Sequence, residues 1–176
     1  LGGEFGVCGE KWYGSNVENP IKRGLPRSVL MITLNDPETC EPFAYMSGNL
    51  ISSMRTGSIP GVFLKYFKKK ADNTVGVIGT GSVQKATILA IHTVVPGVKK
   101  VYCKAAHKEH AEEFARWVEK ETNMEAIAVD SMQECMKDSD IVSVAASPKN
   151  PLFLKDEWIK EVASVLLTSP IESDDD

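Results

Sequence analysis

Apolar residues recur along this chain in two different rhythms, and the change comes near residue 74. Before it, Ser28 to Leu34 is a run of strand formers. Asn35-Asp36-Pro37 then supplies a turn before a second strand-like stretch at Phe43 to Met46, so a β-hairpin is expected. Asn49 to Tyr66 has helical character, but Gly57, Pro60 and Gly61 predict that the helix ends, kinks or restarts there. Residues 68 to 73 are polar and mark a domain boundary, with Lys68-Lys69-Lys70 read as a solvated helix end rather than a phosphate-binding patch.

Beyond that boundary the pattern sharpens. Val75 to Ile78 is a short apolar run suited to a buried parallel strand, and Gly79-Thr80-Gly81 follows it at once. Val83, Ala86, Ala90 and Val94 recur at helical spacing, with Leu89 and Ile91 widening the apolar face, until Pro96-Gly97 stops the helix. A second strand is expected at Lys100 to Cys103, and a second helix over 107–121 with Ala111, Phe114, Ala115 and Val118 inward. A third strand follows at Ile127 to Val129, then a short helix opened by Ser131 and Glu134 at capping-box spacing. Asp140 precedes a fourth strand, Ile141 to Ala145, and Val162 to Leu167 makes a fifth. Alternating strands and helices with short connections predict a parallel sheet with helices on its faces. The fold class is therefore α/β: a Rossmann-type parallel-sheet nucleotide domain over residues 71–168, preceded by a smaller α+β domain over 1–70 and followed by an acidic tail over 169–176.

Composition narrows the function classes. A hydrophobic share of 43% with 25% charged residues over 176 positions belongs to globular chains rather than disordered ones. A net charge of -4 without a basic stripe argues against a nucleic-acid partner. No apolar run is long enough to span a bilayer, and the first residues lack the blocks of a secretory signal, so no membrane partner and a cytoplasmic setting are expected. Cys8, Cys40, Cys103 and Cys135 are too dispersed for a compact ligand set and too few for a disulfide scaffold, so they are expected to be reduced thiols. His92, His107 and His110 form no H-E-x-x-H pattern, and no metal is expected.

The chemistry begins at Gly79 and Gly81. A tight turn after a first strand lets backbone N–H groups face a pyrophosphate at the next helix N-terminus, which makes Gly79, Thr80, Gly81, Ser82 and Val83 cofactor-binding candidates. Thr56 and Ala145 join that candidate set. The third small residue of a G-x-G-x-x-G/A signature is replaced by Gln84, and a shifted register using Ala86 is the alternative. The second strand ends in Cys103-Lys104-Ala105-Ala106-His107, without the carboxylate that recognises the ribose 2′-hydroxyl of NAD. Lys104 is therefore a candidate partner for a 2′-phosphate, which leans the cofactor toward NADP over NAD; the competing reading is a solvated lysine after a strand. Lys11 and Arg55 lie outside the nucleotide module. Each alone is an ordinary surface cation, while together they suit a substrate carboxylate, the arginine as a planar fork and the lysine as a mobile charge.

Met46-Ser47-Gly48-Asn49-Leu50-Ile51-Ser52-Ser53-Met54-Arg55-Thr56-Gly57 resembles the M-D-G-x-x-[IL]-T-x-x-R-T-G/A block of the ornithine cyclodeaminase and mu-crystallin family, with Ser47 in place of the aspartate. Asp36 to Pro42, Val77 to Gly81, Ser139 to Val142, and Pro151-Leu152-Phe153 with Glu157-Trp158 resemble further family blocks in the same order. The resemblance implies a homodimer whose first domain binds substrate and dimerises, with residues 169–176 the start of a truncated return segment in a chain lacking both ends of the family fold. It also implies NAD(P)-dependent hydride transfer to or from a small amino or imino acid, with Arg55 and Lys11 as catalytic-site residues that hold the carboxylate. Two alternatives come with it: an ornithine cyclodeaminase, which forms proline with bound NAD and expels ammonia, and a non-catalytic NADPH binder of mu-crystallin type. Cyclodeaminases place an essential aspartate shortly after the fifth strand, where this chain has Leu167-Thr168-Ser169-Pro170 before Asp174-Asp175-Asp176. A glycine common after Trp158 is also missing, so hydride transfer is expected ahead of cyclisation.

Overall fold

The computed structural model describes residues 3–69, 72–146, 152–169 and 171–173. Lys70, Pro151, Pro170 and Asp174 to Asp176, on which some of the expectations above fall, lie outside the described residues. Contacts divide the chain into two units, Leu1–Ser53 and Met54–Asp176.

In the first unit β1 (Cys8–Ser15), β2 (Ser28–Asn35) and β3 (Pro42–Ser47) form an antiparallel sheet in the order β1-β2-β3. The expected hairpin is β2 and β3, and its turn is built by Asp36, whose Oδ1 accepts from the N–H groups of Glu38 and Thr39 at 2.9 and 2.8 Å. Strand β1 has no counterpart in the sequence reading. Its side chains are exposed along almost the whole strand, so it carries no one-sided apolar alternation. Its register comes from pairing with β2, from Cys8 opposite Asn35 to Ser15 opposite Ser28. The connection between β1 and β2 holds the single helical turn α1 (Asn19–Lys22). Asn49 closes the unit: its Oδ1 accepts from Leu30 N–H at 2.9 Å as the chain enters α2 (Asn49–Phe67).

Helix α2 runs through Pro60 without a break, contrary to the interruption expected from Gly57, Pro60 and Gly61. All three are buried, and the glycines mark a close approach to α3 (Ser82–Val94). A Cβ at Gly57 would stand 2.5 Å from Ala86 Cβ, and one at Gly61 would stand 2.8 Å from Ala90 Cβ. Helix-on-helix packing here outweighs an intrinsic cost of about 1 kcal/mol per glycine. Proline has no N–H to give the Thr56 carbonyl, yet the flanking turns hold the helix in register.

The second unit is built on five parallel strands in the order β6-β5-β4-β7-β9. These are β4 (Thr74–Ile78), β5 (Lys100–Lys104), β6 (Glu125–Ala128), β7 (Ile141–Val144) and β9 (Ser164–Leu167). The chain winds outward from β4 through β5 to β6, then returns to the other side of β4 for β7 and β9, which puts the topological switch between β4 and β7. Strand alternation divides the core between the two faces. Val75, Val77, Val101 and Cys103 pack with Ile88 and Ile91 of α3 and with Phe114 and Val118 of α4 (Lys108–Thr122). Ile78, Val142 and Val144 pack on the other face with Cys135 and Met136 of α5 (Met132–Lys137) and with Leu154. A separate two-stranded parallel pair joins β8 (Leu152–Leu154) and β10 (Ile171–Ser173).

Two local expectations shift. On α3 the buried residues are Gln84, Ala86, Thr87, Ile88 and Ile91, so the inward face includes two polar positions, while Val83, Ala90 and Val94 are only half-buried. At α5, Ser131 Oγ accepts from Glu134 N–H at 3.1 Å, but the Glu134 carboxylate reaches Asp130 N–H at 3.0 Å rather than the N-cap itself. Among the described residues, no helix is long and apolar enough to cross a membrane.

Candidate functional site

The carboxyl ends of β4, β5 and β7 meet at the turn Gly79 to Ser82. Gly79 N–H donates to the Lys104 carbonyl and Ala145 N–H to the Ile78 carbonyl, each at 2.9 Å, so the turn is wedged between its neighbouring strands. Gly79 has φ +96°, and a Cβ there would stand 2.4 Å from the Ala145 carbonyl oxygen. Glycine is therefore required by the protein's own backbone, and Ala145 belongs to the site as the wall against which the turn folds.

Gly81 is different in kind. Its φ of -78° and ψ of -178° are open to any residue, and beyond its chain neighbours no atom of the described residues lies within 4 Å of where its Cβ would be. Neither backbone strain nor internal packing calls for glycine there. It is also the N-cap of α3 and, as a glycine, brings no side-chain cap to the helix N-terminus. Thr80 and Val83 are half-buried beside it, and Ser82 begins the helix.

Gln84 is fully buried behind the turn, its Oε1 3.4 Å from the buried Ser143 Oγ of β7, while its Nε2 has no partner among the described residues. The small residue expected at this position is thus replaced by a polar side chain that fits between α3 and the sheet. Lys104 ends β5 half-buried, and its Nζ donates to the Ala105 carbonyl at 2.7 Å.

A cavity of about 230 Å³ opens beside the turn, lined by Thr80, Gly81, Lys85, His110, Glu113 and Phe114. The sequence reading did not single out Lys85 or Glu113 and named His110 only in setting aside a metal motif. The available signal was topological: helices that follow adjacent parallel strands lie side by side, so the first turns of α3 and α4 share a wall.

Arg55 and Thr56 lie on α2 within the second unit, Arg55 exposed and Thr56 half-buried. Among the described residues Arg55 has no hydrogen-bonding or ionic partner. Lys11 lies in the first unit, exposed on β1 and in register with Ile32 of β2. Cys103 and Cys135 sit in the sheet's two cores, where burial pushes both thiols up to about 12 and leaves them protonated.

A sequence profile of the ornithine cyclodeaminase/mu-crystallin family matches residues 1–175. The chain is 29% identical to an N-((2S)-2-amino-2-carboxyethyl)-L-glutamate dehydrogenase of Staphylococcus aureus, over 94% of this chain and 49% of the relative. Among solved structures it is similar to the Thermococcus litoralis Delta(1)-pyrroline-2-carboxylate reductase in complex with NADH and L-proline, at TM-score 0.82 and 34% identity, covering 88% of this chain and 47% of that one. It is also similar to an archaeal alanine dehydrogenase dimer with bound NAD, at TM-score 0.79 and 27% identity, covering 92% and 48% respectively. The chain thus spans about half the length of the proteins it matches.

Proposed function

Since the chain belongs to the ornithine cyclodeaminase/mu-crystallin family, we propose that its parallel-sheet unit binds a nicotinamide dinucleotide and that the protein transfers hydride to or from a small amino or imino acid. The observation that carries this reading is the bare surface at Gly81, a glycine that the fold itself does not need. A side chain there would fill the space in which a pyrophosphate can approach the backbone at the start of α3. The dehydrogenase and reductase names of similar proteins, two of them solved with NADH or NAD, support the same assignment.

In this reading Gly79 shapes the turn, Thr80 to Val83 present the start of α3 to the pyrophosphate, and Ala145 backs the turn from β7. When bound, the nicotinamide supplies hydride exchange with the substrate carbon that bears nitrogen. Arg55 holds the substrate carboxylate through its planar fork, fixing orientation as well as charge. Lys11, on β1 of the first unit, is a further candidate cation for the substrate. The finer cofactor reading is NADP, because β5 ends without a carboxylate for the ribose diol. A homodimer is supported by the exposure of Trp12, Phe43 and Tyr45 in the first unit and by the dimeric alanine dehydrogenase to which the chain is similar.

The test is titration of the intact protein with NADH and NADPH by nucleotide fluorescence, followed by turnover assays on a panel of amino and cyclic imino acids. Saturable binding with net oxidation or reduction of the nucleotide is expected. Absence of binding to either nucleotide defeats the reading, and binding without turnover on any substrate defeats its enzymatic half. Arg55→Lys is expected to keep nucleotide affinity while kcat/KM falls about tenfold to a thousandfold, roughly 1.4 to 4 kcal/mol. Unchanged kinetics in the folded variant would remove the carboxylate anchor.

A further inference from the structure

Helices α2 and α3 meet too closely for a side chain at two positions of α2. A Cβ at Gly57 would stand 2.5 Å from Ala86 Cβ, 2.7 Å from the Thr87 backbone nitrogen and 2.8 Å from the Ala86 carbonyl carbon. At Gly61 it would stand 2.8 Å from Ala90 Cβ, with the nearest backbone atom at 3.6 Å. Gly57 faces Ala86 and Gly61 faces Ala90, so the two helices run in the same direction through the contact. The seam continues beyond them: Leu64 is fully buried in the cluster that holds Ile88, Ile91 and Val95, and Lys68 Nζ donates to the Val94 carbonyl.

This register decides where Arg55 lies. It precedes Gly57 by two residues, about 3 Å along the helix, which brings it level with Gln84 in the first turn of α3. Side chains on a helix lean toward its N-terminus, so Arg55 leans toward the end of α3 that follows the Gly79 to Ser82 turn. From Met54 onward, α2 belongs to the same compact unit as α3. Within that unit α3 is also fixed from other sides, by Ile88 and Ile91 in the sheet core and by Lys85, whose Nζ stands 5.1 Å from the centre of the Trp117 ring of α4. When the seam is widened, α2 is therefore the helix that moves, and the glycine turn stays.

The geometry points to Gly57 and Gly61 as positioning residues for hydride transfer: their close contact with α3 sets the distance between Arg55 and the glycine turn. The proposal rests on the reading of Arg55 as the carboxylate anchor and of the turn as the dinucleotide site, and adds what holds one at a fixed distance from the other. Reacting atoms must come within about 3 to 3.5 Å, and a misplacement of about 1 Å can cost roughly a hundredfold in rate. Non-bonded carbon atoms pack at about 3.5 to 4.0 Å, so a methyl group at either glycine must widen the seam by about 1 Å. Gly57 acts more strongly than Gly61. It is nearer to Arg55 and faces backbone atoms, which cannot turn aside, whereas Gly61 faces one methyl group.

The experiment measures nucleotide affinity, urea unfolding, and kcat and KM for an amino or imino acid that the native protein turns over. It compares the intact native protein with Gly57→Ala, Gly61→Ala, Gly61→Ala combined with Ala90→Gly, Arg55→Lys and Val118→Ala. Gly57→Ala is expected to lower kcat at least about tenfold and Gly61→Ala about threefold to tenfold, with KM and nucleotide affinity within about twofold of native. The double variant exchanges the methyl group between the two helices, so its kcat is expected to return to within about twofold of native. Val118→Ala, which opens the core on α4 away from the seam, is expected to lose stability at native kcat. Native kcat in folded Gly57→Ala and Gly61→Ala, a double variant as slow as Gly61→Ala, or an equal loss in Val118→Ala overturns the proposal. A fall in nucleotide affinity that matches the fall in kcat also overturns it, because the turn itself has then moved. Where Gly57→Ala does not fold, Gly61→Ala and the double variant decide. Normal kinetics in Arg55→Lys, or a native protein without turnover, removes the carboxylate anchor and this proposal together, whereas a slow Arg55→Lys beside a normal Gly57→Ala removes this proposal alone.

Discussion

At the amino ends of β4 and β7 the chain closes its hydrogen bonds around Asp140, whereas at the carboxyl ends of the same two strands it leaves bare backbone at Gly81. Asp140 Oδ2 accepts from Asn73 N–H at 3.0 Å and from Thr74 N–H at 3.1 Å, and Oδ1 pairs with Lys160. The Thr74 hydroxyl lies 2.8 Å from both Asp140 Oδ2 and the Asp138 carbonyl, donates its single hydrogen to one of them, and accepts from Asp140 N–H. Burial pushes the Asp140 carboxyl up, but the Lys160 bond and those from Asn73 and Thr74 outweigh it and hold it down to about 2. One edge is thus satisfied internally and stabilises the sheet. The other forgoes a side chain at Gly81, where a Cβ would meet no described atom within 4 Å.

The sharpest way to break the closed edge is Asp140→Ala. It removes the acceptor of the Asn73 and Thr74 N–H groups at the start of β4 and the partner of Lys160, and an N–H left unpaired costs about 1 to 3 kcal/mol where it is shielded from water. A total loss near 3 kcal/mol is expected in urea unfolding, with no change in nucleotide affinity per folded molecule. A loss below about 0.5 kcal/mol would mean that the network does not stabilise that edge.

On the open edge the two glycines should separate stability from binding. Gly79→Ala forces a Cβ into the Ala145 carbonyl at positive φ and is expected to cost about 2 to 4 kcal/mol of stability. At Gly81 a Cβ meets nothing among the described residues within 4 Å, so the unfolding midpoint of Gly81→Val should stay near that of the native protein. Its nucleotide affinity should fall at least about a hundredfold, roughly 2.7 kcal/mol. Gly81→Val that unfolds early, or that binds normally, would erase the difference between the two positions.

Acid should then probe the closed edge alone. The Asp140 pKa is lower in the folded chain, about 2, than in an unfolded one, about 3.9, so the unfolded state takes up the proton first. The resulting stability, about 2 kcal/mol, is fully present above pH 4 and is lost as pH falls through 2. The native protein should lose more stability across that window than Asp140→Asn by about that amount. Parallel acid profiles for the two would show that Asp140 does not carry the effect.

The parallel sheet was legible because its strands are buried on both faces and bounded by turn residues, as at Val75 to Ile78 before Gly79. Elements without a burial contrast were not: β1 is exposed on both faces, and β6 lies at the sheet edge with only alternate residues half-buried, so its start at Glu125 carried no apolar signal. Helix α2 was misread in the opposite sense, because glycines that mark a helix contact have the same letters as glycines that end a helix. At the candidate site, Gly79 and Gly81 were found by their place after a strand, but their different reasons for being glycine are visible only in φ and in the space around Cβ. Lys85 and His110 are 25 positions apart on separate helices, and no local pattern connects them.

The smallest expected effect concerns Gln84, where the comparison between the edges is most finely balanced. The closed edge pairs its buried carboxylate fully, while the open edge keeps a fully buried amide whose Nε2 lacks a partner and whose one bond to Ser143, at 3.4 Å, is long. Turning the amide over exchanges which atom bonds Ser143 and leaves the other unpaired, so neither orientation satisfies the group. Such an atom costs about 1 to 3 kcal/mol, against which the weak bond returns little. Gln84→Met fills a similar volume without the amide, and pairing it with Ser143→Ala removes the hydroxyl that would be left behind. The double variant is therefore expected to be more stable than the native protein by about 1 kcal/mol, read from the urea midpoint at unchanged slope. If the polar residue is kept to steady the first turn of α3 for its ligand, the same variant should lose nucleotide affinity severalfold while gaining stability. A less stable double variant would show that the amide has a partner, such as an ordered water, and that the open edge is as well satisfied inside as the closed one.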